Sequence, residues 1–187
     1  MPLTYICNAV FSTGVFPDRL KCAIVKPIFK KGNKQEISNY RPISLLTSFS
    51  KIMEKLIYAR LLAHIDKKSI LVCEQYEFRT HSSTEKAAFT LINSILTAMN
   101  NNLIVGGIFC ELQKAFDCVN YKILLDKLEF CEIEGKFKTL IESYLTGRHQ
   151  RVTLGNITDS NNSSKWEVIK CGVHKARFLA PCSSFST

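Results

Sequence analysis

An apolar run at residues 103–109 leads directly into Cys110-Glu-Leu-Gln-Lys-Ala-Phe-Asp-Cys-Val-Asn120, and this junction constrains the fold more than any other feature of the chain. The run has the length of a short buried strand. Glu111 would then sit at the strand's carboxyl end, where a metal-binding carboxylate is wanted. It reads either as such a ligand or as a polar group closing a strand. Asp117 comes just after Ala115 and Phe116. Its place suits an N-cap of the following helix as well as a metal site.

Around this junction the pattern is α+β with helix dominant. Phe49, Ile52, Met53, Leu56, Ile57 and Leu61 recur at helical spacing. Ser82-Ser-Thr-Glu85 has the form of a capping box, and the helix it opens would carry Ala88, Leu91, Ile92, Ile95 and Met99 as a core-facing stripe. Two more helices are expected at residues 122–130 and 135–145, the second ending near Gly147. Residues 150–154 and 166–171 read as two strands around a polar Asn/Ser loop, with Trp166 as the core anchor of that hairpin.

The 187 residues suffice for a real core within one domain or part of one. A composition 46% hydrophobic and 22% charged is globular. No run approaches the roughly 20 apolar residues of a membrane span. Residues 3–16 lack the basic flank of a secretory signal and read instead as a buried helix. None of the eight cysteines forms a Cys-x-x-Cys pair, and the four histidines are scattered, which speaks against a zinc ribbon. A reduced intracellular setting, nuclear or cytoplasmic, is the expectation.

The net charge of +9 is concentrated. Arg19, Lys21, Lys26, Lys30, Lys31 and Lys34 crowd one stretch, with Arg41 soon after. Ile24, Val25, Ile28 and Phe29 are interleaved with them, the pattern of a strand that buries one face and holds ammonium groups outward. Such a strand suits a phosphate backbone, because neutralising phosphates releases counterions.

The motifs fall in an order that resembles the reverse transcriptases of non-LTR (LINE-type) retrotransposons. The resemblance is carried by Phe16-Pro17, Ile24-Val-Lys-Pro-Ile-Phe-Lys-Lys-Gly32, Asn39-Tyr-Arg-Pro-Ile-Ser-Leu-Leu46, Ser50-Lys-Ile-Met-Glu-Lys55, Gln75-Tyr-Glu-Phe-Arg79, the Glu111 motif, Ser143-Tyr-Leu145, Arg148 and Gln150. It implies the fingers (about residues 1–100) and part of the palm (about 101–187) of a right-hand polymerase, helix-rich with a small antiparallel sheet. It implies RNA template and DNA primer as partners, no membrane, and Mg2+ as cofactor. By the resemblance Lys26, Lys30, Lys31 and Arg41 lie over template and nucleotide, and Arg79 reaches the triphosphate.

The departures matter as much. The family's first metal-binding Asp is Glu111 here, and its extra methylene adds about 1.5 Å of reach at a metal that demands near-ideal octahedral geometry. Glu77 stands where the family has Gly. The loop that reads Gly-Val-Pro-Gln-Gly-Ser in active members is Gly172-Val-His-Lys-Ala-Arg177, and no paired Asp-Asp occurs before Thr187. The expectation is a truncated, inactive copy of an RNA-directed DNA polymerase, or a non-catalytic remnant that binds RNA or single-stranded DNA. An uncovered palm edge would favour self-association.

Overall fold

Helix boundaries follow the local chemistry. In the computed structural model, which describes residues 2–72, 74–77, 79, 82–110, 116–155 and 162–173, five α-helices and four strands are built. Helix α1 spans Pro2–Thr13. Strands β1 (Cys22–Phe29) and β2 (Tyr40–Leu45) form a hairpin, and α2 (Ser48–Lys67) follows, capped by the Thr47 hydroxyl, which accepts from the Ser50 N–H at 3.2 Å. Helix α3 is Thr84–Asn100, capped by Ser83, one residue beyond the start the capping-box pattern suggests. Helix α4 (Tyr121–Phe130) is capped by Asn120, whose Oδ1 accepts from Lys122 and Ile123. Asn120 thus takes the capping role that Asp117 offered from sequence. Helix α5 is Gly135–Leu145, and the short strands β3 (His149–Val152) and β4 (Glu167–Val168) complete the elements.

The sheet is mixed, in the order β2-β1-β3-β4, which corrects the expected antiparallel sheet. Strands β1 and β2 are antiparallel, as are β3 and β4, but β1 and β3 run parallel. A parallel partner far away in the chain leaves no turn signal, so local pattern cannot reveal it. The β1–β3 ladder has a physical end. The His149 N–H donates to Lys21 O and the Thr153 N–H to Val25 O, so residue 27 would have to donate the next bond in the series. Residue 27 is proline, which has no N–H. Opposite β2, Pro27 faces Pro42, at a level where neither has to donate across the pair, because the ladder bonds fall at alternate residues such as Lys30 N to Asn39 O.

The core lies among α1, α2, α4 and α5. Met53, Ile57, Leu61 and Ile65 of α2 meet Leu124 and Leu128 of α4 and Leu140, Ile141 and Leu145 of α5. Phe16, fully buried just beyond α1, stands edge-on to Tyr144 at 5.0 Å, and its N–H donates to the Ser143 hydroxyl at 3.0 Å. Phe49, Ile52 and Leu56 are exposed, so only part of the α2 stripe is core.

Two expectations fail outright. No residue of α3 is buried: Leu91, Ile92 and Met99 are exposed, as is Phe89 at 71%. Residues 103–109 form no strand, and their apolar side chains are exposed, Ile108 at 94%. A helix forms on its own hydrogen bonds, whereas a strand needs a paired neighbour, and among the described residues none pairs with this run.

Candidate nucleic-acid interface

Strand pairing decides which cations share a surface. Residues directly opposite one another lie on the same sheet face. Lys26 pairs with Ile43 and Ile28 with Arg41, so Lys26 and Arg41 stand on one face, together with Ile24. Ala23 and Val25 point the other way and are buried. Lys26 is half-buried, while Lys30, Lys31 and Arg41 are exposed. Among the described residues no ion pair ties up any of these four cations.

The hairpin tip is held by its own polar groups. Asn39 Nδ2 donates to Asn33 O at 2.9 Å and to Glu36 Oε2 at 3.1 Å, and the Tyr40 hydroxyl donates to Lys34 O at 2.9 Å. Gly32 has φ +94, and a Cβ there would lie 2.8 Å from Asn39 Nδ2, so only glycine fits beside that amide. Phe29 and Tyr40 meet edge to face at 5.5 Å, with Lys34 Nζ 5.8 Å above the Phe29 ring. A fixed tip keeps Lys30 and Lys31 at one end of the Lys26 face.

Lys21 departs from the expected basic groove. It is buried and bound to Asp18 at 2.9 Å, and its hydrogen bond and charge hold the Asp18 carboxyl below the usual carboxylate range. Arg79 is exposed, and its Nη1 donates to Val72 O at 3.0 Å, fastening the loop after α2.

The acidic motif is only partly described, and Glu111 lies outside the described residues. Asp117 is exposed in a turn that Gly172 and Val173 clasp. The Gly172 N–H donates to Val119 O at 2.9 Å and the Val173 N–H to Phe116 O at 2.7 Å, while the Tyr121 hydroxyl donates to Gly172 O at 2.8 Å. A Cβ at residue 172, where φ is +83, would meet Asp117 O at 2.7 Å. This close approach joins the acidic motif to the start of the Gly172 loop, the rest of which lies outside the described residues. Among the described residues no group of three or more His, Cys, Asp or Glu could hold a metal ion.

A buried polar cluster escaped the sequence reading. Glu54 on α2 is 7% exposed, and its Oε1 accepts from the Tyr144 hydroxyl at 2.6 Å. The Arg148 guanidinium lies 4.4 Å over the Tyr144 ring. Burial pushes the Glu54 carboxyl up, against the Tyr144 hydrogen bond and the Arg148 and Lys51 charges, and burial likewise raises the Tyr144 hydroxyl. Trp166 is not a core anchor either: it is 44% exposed, and the Arg151 guanidinium lies 4.9 Å from its ring. The strand β4 begins only after it, too short to enclose an indole.

The reverse transcriptase (RNA-dependent DNA polymerase) family matches residues 28–180. Over 180 residues, 96% of this chain, it is 32% identical to a probable RNA-directed DNA polymerase from transposon BS of Drosophila melanogaster. Identity is 29% to the corresponding protein of transposon X-element and 32% to the RNA-directed DNA polymerase from mobile element jockey, both of the same organism. The chain spans 19% of the length of each of these relatives. Among the described residues no helix is long and apolar enough to cross a membrane. The match over most of the chain settles the family: this chain belongs to the reverse transcriptases (RNA-dependent DNA polymerases), alongside those of non-LTR (LINE-type) transposable elements.

Proposed function

We propose that this chain supplies the fingers, about residues 1–100, and the upper palm, about residues 101–187, of an RNA-directed DNA polymerase of a non-LTR retrotransposon. In this reading Lys26, Lys30, Lys31 and Arg41 take phosphates of the RNA template, the DNA primer or the nucleotide, and Arg79 takes a triphosphate. The observation that carries the reading is the β1–β2 register, which sets Lys26 and Arg41 on one face with no carboxylate partner among the described residues.

Glu111 and Asp117 occupy the positions of the family's acidic motif. Glu in place of Asp misplaces a carboxylate by about one carbon–carbon bond, and a 1 Å error in a catalytic constellation costs on the order of a hundredfold in rate. The chain then binds nucleic acid while its metal motif is unfit for polymerisation. Exposed apolar side chains on α3 and along residues 103–109 add self-association to this reading.

Salt-dependent binding tests it. Four phosphate contacts on a single strand give a slope of log affinity against log salt near −3, at about −0.7 per contact. Replacing Lys26, Lys30 and Lys31 by Gln flattens that slope by about 2 units. Replacing Lys67 and Lys68 leaves it nearly unchanged, Lys68 being already paired with Glu132. Equal loss from both sets would mean that charge acts only in bulk and would refute the assigned surface.

A further inference from the structure

The face that carries Lys26 and Arg41 does not stop at the hairpin. Ile24 pairs with Arg151 across the parallel β1–β3 ladder, so Arg151 lies on that face too. On β4 the register sets Gln150 opposite Glu167, and one step further brings Trp166 opposite Arg151. The guanidinium 4.9 Å from the indole centroid agrees with that placement. Ile28, Ile43 and Val168, which pairs with His149, are exposed members of the same surface. Glu167 belongs to the opposite face through its pairing with Gln150.

Neighbouring strands lie about 4.8 Å apart, so the surface runs about 14 Å from β2 to β4. Its components are those of a stacking platform for unpaired bases. Cations lie at one side, and a large aromatic ring is backed by an arginine at the other. One side of the Trp166 ring is covered by Arg151, yet 44% of the residue is exposed, so ring surface remains open to a partner. Arg151 Nε is buried with no hydrogen-bond partner among the described residues, and the guanidinium rests against the ring. A rigid duplex presents its bases edge-on within its grooves and cannot lay a base on an indole, whereas a single strand can.

We infer that this sheet face binds single-stranded nucleic acid by stacking a base on Trp166 while Lys26, Arg41 and Arg151 hold its phosphates. The inference rests on the nucleic-acid reading proposed above and deepens it with two residues and a preference for unpaired strands.

Trp166 is the chain's one tryptophan, so its fluorescence reports this site without any substitution. The unaltered chain is titrated with a short unstructured RNA, with the same RNA annealed to its complement, and with tripolyphosphate, while anisotropy of a labelled RNA reports binding independently. The expected result is saturable quenching by the single strand, at the concentration where anisotropy rises, with little from duplex or tripolyphosphate. Trp166→Ala weakens binding about tenfold without changing the salt slope, and Trp166→Phe, which keeps a stacking ring, loses less. Arg151→Gln lowers the slope by about 0.7. Binding by anisotropy without quenching would overturn the platform and leave the basic hairpin standing. Equal quenching by duplex or tripolyphosphate would also overturn it, and absence of any binding would remove both readings.

Discussion

Helices α2 and α3 read alike in sequence and end in opposite circumstances. Each shows apolar residues at helical spacing and a hydroxyl N-cap. Helix α2 buries Met53, Ile57, Leu61 and Ile65 against α4 and α5, whereas α3 buries nothing among the described residues. Charge separates them. Helix α2 carries exposed Lys51 and Lys55, with Arg60 over the Phe11 ring, but no charged residue occurs between Lys86 and Glu111, a stretch that takes in most of α3 and the exposed run after it. The Thr90, Ser94 and Thr97 hydroxyls even turn inward, each donating to the carbonyl four residues earlier. A helix with no charge beyond its first turn has no strongly solvated side to hold toward water. Periodicity specifies a helix; whether a partner covers it depends on other parts of the structure.

The largest expected effect contrasts the two helices directly. Ile57 is fully buried, so Ile57→Ala destabilises by about 2–5 kcal/mol through lost burial and the cavity left behind. The combined change Leu91→Gln, Ile92→Gln and Leu96→Gln on α3 leaves thermal unfolding nearly where it was, and in sedimentation it shifts the chain from associated species toward monomer. A comparable loss of stability from both would show that α3 is packed in solution, and the contrast between the helices would fail.

Legibility follows the range of the interaction. Helix α5 was read at its true bounds because its apolar spacing and terminal signals are local. In β1 the expectation held only in part: Val25 is buried, but Ile24 and Ile28 share the face of Lys26, and Ile28 and Phe29 are exposed. Lys21 looked like another outward cation, but its burial depends on how residues 18–21 fold back against the core. The parallel β1–β3 pairing, and with it the neighbourhood of Arg151 and Trp166, joins segments that no turn connects. Glu54 showed least of all: nothing local marks it as buried, and its partners Tyr144 and Arg148 lie far along the chain. The acidic motif was read from the family resemblance, and its two positions differ in what the structure adds. Asp117 can be placed in a turn held by Gly172, while Glu111 rests on sequence alone.

Glu54 provides the second test, because α3 has no ionisable group beyond its first turn and pH therefore probes the packed region alone. Its folded pKa lies above the ordinary 4.5, so the stability it contributes is complete below that value and is lost as pH rises through the folded pKa. Glu54→Gln keeps an oxygen to accept from Tyr144 and removes the titration. The melting temperature of the variant relative to the unaltered chain is expected to start near equality at the acidic end and to move in the variant's favour as pH rises. Movement in the other direction would mean that attraction to Arg148 outweighs the cost of burying the carboxylate.

The smallest effect sharpens the comparison through the caps. Asn120 accepts two N–H bonds at the start of α4, which is packed into the core, and Ser83 accepts one at the start of α3, which is not. Each cap is worth about 1 kcal/mol to its own helix. Asn120→Ala should therefore lower global stability by about that amount, because α4 cannot fray without exposing Leu124 and Leu128. Ser83→Ala should leave the cooperative transition in place, since α3 can unwind without opening the core, and should show instead as a small loss of helical circular dichroism and faster amide exchange confined to residues 84–100. A shift in the global transition as large as that of Asn120→Ala would tie α3 to the core and show that the two regions unfold as one unit.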